Sequence, residues 1–218
     1  LKEGIEGIDL PDIINANNFG YKIKLLAKSQ LIDNKLFESV YPALIEKNNY
    51  LANINGVLNA VILKGTPVGK SVFQGEGAGP SPTVSSIISD LCSVLRGNIK
   101  YPFGVSNKLR KKVKTFSYQN YKYSGYFRIE VIDKYGVLSS ITNCLAKNKV
   151  SIKRVLQIPN KKNKTASIII ITHRTSEKNN ISCINKLKKS KYVLKKPIYI
   201  RIEEFEWVLI RVLLMPFR

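Results

Sequence analysis

The stretch Phe73-Gln-Gly-Glu-Gly-Ala-Gly-Pro-Ser-Pro-Thr83 decides how the first half of this chain is interpreted. Its three glycines stand between a β-branched run and an amphipathic segment. Glycine reaches backbone angles that other residues avoid, and without a Cβ it lets a bound molecule touch the main chain. Ser81 and Pro82 are typical of a helix N-cap and first helical position, and apolar residues then recur at helical spacing. The stretch predicts a strand, a glycine loop and a helix.

Two interpretations of this loop follow from its residues alone. The free amides and positive end of a helix suit an anion or a polarised ligand group, whereas a tight glycine turn needs no ligand. The spacing is not that of a dinucleotide-binding fingerprint, because Asp90 comes too early for the required acidic residue and lies inside the predicted helix. Gly69-Lys70-Ser71 lacks the partner glycine of a P-loop. If a nucleotide binds here, its phosphates are held elsewhere.

Composition restricts the class of protein. With 218 residues and 44% hydrophobic residues, the chain can form two modest globular domains. The net charge is +21, from 36 basic and 15 acidic residues. Because the lysines are spread along the chain rather than gathered in one stripe, we interpret them as solvated charge and expect no specific nucleic-acid partner. Weak, salt-sensitive affinity for phosphorylated or polyanionic molecules is compatible with this charge.

The cysteines and the single histidine do not form a recognisable site in the sequence. Cys92, Cys144 and Cys183 are widely spaced, without a zinc or disulfide pattern, so we expect reduced, buried thiols in a cytoplasmic protein and no metal. His173 has no Ser or Cys partner pattern and is predicted to lie at the surface.

The two ends of the chain are unusual. The chain begins Leu-Lys-Glu rather than with Met, which we interpret as part of a larger protein. The apolar run within residues 205–218 is too short to span a bilayer, and no signal peptide or long apolar segment precedes it, so no membrane partner is expected. The tail is compatible with a terminal strand or helix, an interfacial segment or foreign sequence.

The first block of elements predicts a mainly antiparallel sheet with packed helices. Helical patterns cover residues 9–18 and a short turn at 51–55, and strand patterns cover 21–27, 37–45, 57–63 and 68–74. Pro42 favours an edge or bulge position for the second strand. We expect the sheet to present the glycine loop and to pack the helix that follows it. Residues 96–123, rich in Gly, Lys, Asn and Tyr, predict a linker.

A second block predicts a βαββαβ, ferredoxin-like unit. Its strands are expected at 126–132, 150–158, 165–172 and 199–202, and its helices after Val137 and at 179–189. The turn Asp133-Lys-Tyr-Gly136 between the first strand and helix could hold a small molecule's carboxylate. Such a unit can equally serve only packing and dimerisation, and the residues alone do not decide between the two.

Taken together, these residues resemble the C-terminal part of homoserine dehydrogenase. The carriers in the first block are Glu3-Gly4-Ile5, Val40-Tyr41-Pro42-Ala43-Leu44, Asn55-Gly-Val-Leu-Asn-Ala-Val61 and the glycine stretch, which matches the family's Tyr-x-Gly-x-Gly-Ala-Gly-x-x-Pro-Thr-Ala-Ser motif. The second block is similar to an ACT domain through Asp133-Lys-Tyr-Gly-Val-Leu138 and Asn148-Lys-Val-Ser-Ile152.

The resemblance implies a domain organisation. Residues 1–103 would be part of the substrate and dimerisation domain, 104–124 a linker, 125–204 an ACT regulatory domain, and 205–218 a tail of unknown role. The implied fold class is α+β. Because the family's Rossmann half would lie upstream, the first block is expected to expose apolar surface.

The resemblance also implies an activity: NAD(P)-dependent interconversion of aspartate 4-semialdehyde and L-homoserine, in threonine, methionine and isoleucine biosynthesis. Gly77, Ala78 and Gly79 would lie against the nicotinamide end of NADP or NAD. The family's catalytic Asp and Lys would lie upstream of residue 1, and Asp9 and Asp12 should not be substituted for them. No catalytic residue is therefore expected in this chain, and the 218 residues alone are predicted to be inactive.

The ACT resemblance implies feedback regulation. Asp133, Gly136, Val137 and Leu138 would bind an amino-acid effector, with threonine as the expected ligand, and the protein would form a homo-oligomer. Tyr135 replaces the usual proline before Gly136, which alters the turn that faces the ligand. The alternative hypothesis is a non-catalytic, amino-acid-binding ACT module.

Overall fold

The computed structural model describes residues 1–98, 106–110, 112–160 and 162–205. In these residues the chain has a mixed α/β fold with a mainly antiparallel sheet and four α-helices. The elements are, in chain order, α1 (Leu10–Asn18), β1 (Tyr21–Ile32), β2 (Lys35–Glu46), β3 (Leu58–Gly65), β4 (Gly69–Glu76), α2 (Pro80–Leu95), β5 (Lys122–Ile132), α3 (Val137–Lys147), β6 (Ile152–Asn160), β7 (Thr165–Thr172), β8 (Thr175–Ser176), α4 (Glu177–Leu187) and β9 (Ile198–Glu203). Short 3₁₀ turns lie at Tyr50–Asn53, Asn107–Leu109 and Tyr118–Asn120.

The chain divides into two compact units. We call the first the sheet unit; it comprises Leu1–Ile32, Leu36–Ala52 and Thr115–Glu206. We call the second the hairpin unit, and its main segment is Asn53–Lys114, with β3, β4 and α2. The sequence block predicted over residues 1–103 is thus divided between the two units, because β1 and β2 join the same sheet as the strands of the second block.

The sheet unit is organised around a sheet with the strand order β1-β2-β9-β5-β7-β6. Strands β5, β6, β7 and β9 with α3 and α4 give the predicted βαββαβ order, and the neighbours β9-β5-β7-β6 are all antiparallel. On the other side of β9, β2 pairs with it in parallel through Ala43, Leu44 and Ile45. A hairpin with left-handed Asp33 and Asn34 at its turn joins β1 to β2.

Of the edge and bulge positions expected for Pro42, the edge position is wrong. Strand β2 lies between β1 and β9, and Pro42 is buried. The proline is tolerated because it directly precedes the segment Ala43–Ile45 that pairs with β9, so its missing N–H is not required in that ladder.

Helices cover both faces of this sheet. Successive residues of a strand point to opposite faces, so neighbouring residues of β7 contact different helices. On one face, Ile168 and Ile170 belong to a core cluster shared with α3 and α4. On the other face, Ile169 and Ile171 pack in a cluster that includes Ala16 of α1. Strands buried on both faces explain why β7 is almost continuously apolar.

The hairpin unit has much less packing. Strands β3 and β4 pair antiparallel from Leu58–Glu76 to Gly65–Gly69 as a separate two-stranded sheet. None of the 16 residues of α2 is buried, so the expected packing of this helix on the sheet is not observed. The predicted exposure of apolar surface is confirmed here: Ile87 is 60% exposed and Leu91 52% exposed.

Other expectations had mixed outcomes. His173 lies at the surface, as predicted, but only Cys183 of the three free cysteines is fully buried. The predicted linker contains short 3₁₀ turns and a β-bridge between Leu36 and Thr115, and its residues 99–105 and 111 lie outside the described residues. The apolar tail also lies outside them, apart from Phe205.

Candidate functional site

The glycine loop lies between the end of β4 and the start of α2. Gly79 is the N-cap of α2, with φ 119° and ψ 158°, a backbone conformation that strains any L side chain. The helix therefore begins at Pro80, two residues earlier than its predicted first position, Pro82. Thr83 reinforces this start, because its hydroxyl donates to the Gly79 carbonyl at 2.8 Å. The glycine is required by backbone geometry at the point where strand becomes helix.

Prolines weaken this helix start as an anion site. The first three residues of α2 are Pro80, Ser81 and Pro82, and proline has no N–H to donate. Ser81 is therefore the one residue of the three that offers an amide to a ligand at this end. The anion-cradle interpretation therefore loses most of its donors.

The loop presents main chain rather than side chains. Gly77, Ala78 and Gly79 are all exposed. The Gly77 amide donates to the Val57 carbonyl at 2.8 Å, which fixes the loop against the start of β3. A Cβ at position 77 would overlap the end of the Asn59 side chain, which would have to move to accommodate it. These features fit a loop against which a planar ring can lie.

The turn predicted to bind an effector lies in the sheet unit, between β5 and α3. Gly136 is the N-cap of α3 in the left-handed conformation, with φ 80°. The Asp133 amide donates to the Lys164 carbonyl at 2.9 Å, and its carboxylate accepts a long 3.4 Å hydrogen bond from Gln157. Asp133 is exposed.

The four predicted effector residues are not equivalent. Asp133, Gly136 and Leu138 lie at the surface, with Leu138 37% exposed. The Val137 side chain is 3% exposed and packs in the core between the sheet and the helices. Val137 can therefore act on a ligand only through its main chain or by holding the turn. The glycine loop and the effector turn belong to different compact units.

A buried charged cluster was not predicted from the sequence. Arg201 of β9 is 1% exposed and donates two hydrogen bonds to Glu3, at 2.6 and 2.9 Å. It also binds Glu177 at the start of α4, with 2.9 Å between Nε and the carboxylate, and its guanidinium lies 5.0 Å from the Tyr41 ring centroid. Burial disfavours the charged guanidinium, but the hydrogen bonds that Arg201 donates to Glu3 and the nearby anionic groups raise the pKa of Arg201 overall.

Tyrosines surround this cluster with raised pKa values. Burial, and then the charge of Glu203, raises the pKa of Tyr41, whose hydroxyl hydrogen bonds to Glu203 and to Tyr123. Burial and the charge of Glu177 raise the pKa of Tyr199 in the same way. The tyrosines therefore stay neutral donors at physiological pH.

A second buried cluster explains Asp12. This residue is fully buried and accepts from Arg128 at 2.6 and 2.8 Å, from the Tyr126 hydroxyl at 3.1 Å and from the Asp9 amide at 3.0 Å. The hydrogen bonds that Arg128 donates to Asp12 are the main cause of the raised pKa of Arg128. The contacts with Arg128 and Tyr126 tie α1 to β5 through Asp12. Charged residues inside apolar strands, such as Arg128 and Arg201, are the sequence signal that could have revealed both clusters.

Two kinds of feature are absent from the described residues. In those parts of the chain, no group of three or more His, Cys, Asp or Glu residues is placed to hold a metal ion. Nor does any described helix have the length and apolar character needed to cross a membrane.

Comparison with known proteins gives consistent matches. The sequence profile of the homoserine dehydrogenase family matches residues 2–92. A homoserine dehydrogenase of Helicobacter pylori is 35% identical over 205 residues, covering 93% of this chain and 48% of that protein. The Bacillus subtilis homoserine dehydrogenase is 32% identical over 209 residues, with 94% and 48% covered.

Solved structures agree with the sequence matches. The crystal structure of a homoserine dehydrogenase from Thiobacillus denitrificans superimposes with a TM-score of 0.80 at 31% identity, covering 93% of this chain and 47% of that one. A Staphylococcus aureus homoserine dehydrogenase gives a TM-score of 0.55 at 28% identity. From these matches, the chain belongs to the homoserine dehydrogenase family of oxidoreductases, and it spans about half the length of the curated relatives it matches.

Proposed function

We propose that this chain forms the part of a homoserine dehydrogenase that borders the nicotinamide end of the cofactor and carries the regulatory domain. The reaction is NAD(P)-dependent interconversion of aspartate 4-semialdehyde and L-homoserine, in the biosynthesis of threonine, methionine and isoleucine. The observation that carries the proposal is the exposed loop Gly77–Gly79, in which the positive φ of Gly79 disfavours any L side chain. We place this activity in the cytoplasm.

The loop would contribute position rather than acid–base chemistry. Bound NADP or NAD supplies the hydride acceptor or donor of the reaction. Gly77, Ala78 and Gly79 offer a surface on which a nicotinamide ring can lie within reach of the substrate carbon, and they exclude water from that side. The two prolines at the start of α2 leave few amides for a phosphate, so the phosphates of the cofactor are assigned to residues outside this chain.

In this proposal residues 125–204 are an ACT regulatory domain that follows a linker at 104–124, and residues 1–103 belong to the substrate and dimerisation domain. Asp133 would hold the ammonium group of an amino-acid effector, threonine, through its exposed carboxylate. Gly136 allows the main chain to approach the ligand, Leu138 covers its side chain, and Val137 anchors the turn in the core.

Strand β6 supports assembly into a homo-oligomer. It is an edge strand of the sheet, and its apolar residues are unusually exposed: Val155 is 49% and Ile158 43% exposed. Unpaired strand edges with apolar side chains readily pair with another chain.

Threonine titration by calorimetry tests the regulatory part of the proposal. The chain should bind threonine, and Asp133→Asn should weaken binding at least about tenfold, because a charged hydrogen bond of about 1.5–3 kcal/mol is lost. The matched control is Asp90→Asn, which removes the same charge from α2 and should leave the affinity unchanged. Absence of any heat, with the βαββαβ core shown to be folded by amide dispersion, would contradict effector binding.

The enzymatic part is tested by homoserine oxidation, followed through the absorbance of reduced nicotinamide. The 218 residues alone should show no activity, and measurable turnover would overturn that expectation. Translating the reading frame upstream of Leu1 should reveal Gly-x-Gly-x-x-Gly and a later Asp-x-x-x-Lys. The extended protein should be active and should lose at least tenfold in kcat with Gly79→Val, about 1.4 kcal/mol or more. Threonine binding without such an upstream frame would favour the non-catalytic module instead.

A further inference from the structure

A groove of about 370 Å³ lies on the sheet unit. The segments that line it are not those that form the effector turn. It is bordered by the 3₁₀ turn at Tyr118–Asn120 on one side and by one face of α4 on the other. The α4 residues recur at helical spacing, so they form a continuous wall. A groove of this volume is within the size range of sites for small molecules.

The charge of the groove is entirely positive. Lys178, Lys186 and Lys189 line it, together with the polar side chains of Gln119, Ser182 and Asn185. No lining side chain in the described part of the chain is acidic. Three ammonium groups without a carboxylate attract an anion with more than one negative charge.

The three lysines differ in the hydrogen bonds and ion pairs that they form. Lys186 donates to the Asn148 side-chain oxygen at 2.9 Å, which holds it in place, and Ser182 donates to the same oxygen at 2.9 Å. Lys178 and Lys189 make no ion pair with any described residue. Glu177, the acidic neighbour of Lys178, is committed to Arg201 on the sheet side.

The position of Lys178 is unfavourable for α4 itself. It is the second residue of the helix, where the positive end of the helix dipole repels a cation. Lys186 lies in the last turn, where a cation is favoured, and Lys189 directly follows the C-cap Lys188. Helix stability therefore explains the lysines at the C-terminal end but not Lys178, whereas an anion in the groove accounts for all three.

The spacing suggests the shape of the ligand. Lys178 and Lys186 are eight residues apart, about 12 Å along the helix axis at 1.5 Å per residue. Tyr118 and Ile181 supply the apolar part of the wall. We propose that this groove binds a small phosphorylated organic anion, with its phosphates on the lysines and its organic part against Tyr118 and Ile181. This site is independent of the effector turn.

Calorimetric titration of the chain with ATP, inorganic tripolyphosphate and adenosine tests the proposal. ATP should bind with one-to-one stoichiometry and more tightly than tripolyphosphate, and adenosine should not bind detectably. Affinity should fall as salt rises, because the contacts are ionic. Tripolyphosphate binding as tightly as ATP would overturn the assignment of an organic part to the ligand.

A matched pair of variants separates this groove from the general charge of the chain. Lys178→Gln with Lys189→Gln should weaken ATP binding at least tenfold. Lys153→Gln with Lys162→Gln removes the same charge from β6 and the β6–β7 turn and should change the affinity less than twofold. Equal losses in both double variants would show unspecific attraction and would overturn the proposal. The heat of threonine binding should be unchanged in both double variants. The result for ATP therefore does not depend on whether threonine regulation is confirmed.

Discussion

Helices α2 and α3 have similar amphipathic sequences but very different surroundings. Helix α3 buries Val137, Ile141 and Leu145 against the sheet, whereas no residue of α2 is buried. An apolar stripe thus specifies which face of a helix avoids water but not what covers that face. The same contrast extends to the two units, because the extended core clusters belong to the sheet unit. We infer that most of the stability of the described chain resides in the sheet unit.

The largest expected effect comes from breaking the Arg201 cluster. Arg201→Ala should lower the free energy of unfolding of the sheet unit by about 3–5 kcal/mol, because Glu3 and Glu177 lose their shared cation and Glu177 is buried without it. Chemical denaturation followed by far-ultraviolet circular dichroism measures the change. Arg154→Ala, at an exposed arginine of β6 whose guanidinium lies 5.8 Å from the Phe19 ring centroid, is the control and should cost less than about 1 kcal/mol. A similar loss in both variants would contradict the structural role of Arg201.

The comparison of the two helices can be tested by one substitution made in each. Leu145→Ala removes a fully buried side chain of α3 and should cost about 2–5 kcal/mol. Leu91→Ala, at a position 52% exposed in α2, should change the stability by no more than about 0.5 kcal/mol. Denaturation curves of the two variants give the answer directly. If Leu91→Ala were as costly as Leu145→Ala, α2 would be packed in solution and the contrast between the units would fail.

Alkaline pH should destabilise the sheet unit through its buried tyrosines. Burial, followed by the charge of Asp12, raises the pKa of Tyr126 above its ordinary value. The unfolded chain releases this proton from about pH 10, while the folded chain keeps it to a higher pH. The contribution of Tyr126 to the free energy of unfolding is therefore fully present below about pH 10 and is lost above it. Tyr126→Phe should reduce the steepness of this loss by up to about 1.4 kcal/mol per pH unit. Denaturation midpoints measured between neutral and alkaline pH provide the slope.

Tyr135→Phe is the matched control for that slope. The Tyr135 side chain is fully exposed, so its removal should leave the slope unchanged. An equal effect of the two substitutions would show that burial is not the cause.

The smallest expected effect concerns the thiols. Burial, with a contribution from neighbouring Cys144, raises the pKa of Cys183 to about 12, so this thiol stays protonated and inaccessible at neutral pH. Alkylation of the folded chain by iodoacetamide should be at least about tenfold slower at Cys183 than at the partly exposed Cys92 in the hairpin unit. Mass spectrometry locates the adducts, and denaturant should abolish the difference. Rapid labelling of Cys183 in the folded chain would mean that the core of the sheet unit opens readily.

Local patterns predicted much of the fold. The βαββαβ order, the strand patterns of β3 and β4 and the glycine loop follow from residue periodicity and glycine placement, which act over a few residues. The parallel pairing of β2 with β9 was not predicted, because it joins positions about 158 residues apart, as in the pair Ala43 and Arg201. The interior position of Pro42 follows from that same long-range pairing.

For the candidate sites, the sequence identified residues but not the surroundings of their side chains. Gly79 was expected to form a side-chain-free surface, and its backbone conformation is compatible with that role. Val137 was expected among effector residues, but its side chain belongs to the core, because the first turn of α3 points this position at the sheet. The buried clusters at Asp12 and Arg201 depend on contacts between residues 116 and 198 positions apart, which no local pattern contains.

The sequence by itself determined the family, the strand–glycine loop–helix element and the βαββαβ order, because these depend on motifs and periodicities that are local in the chain. Only the tertiary structure decided that β1 and β2 extend the sheet of the second block, that Arg201 joins Glu3 to Glu177, and that three lysines line one groove. The physical reason is that pairing, burial and charge clustering are properties of residues brought together by folding, and their energies depend on neighbours that are remote in sequence.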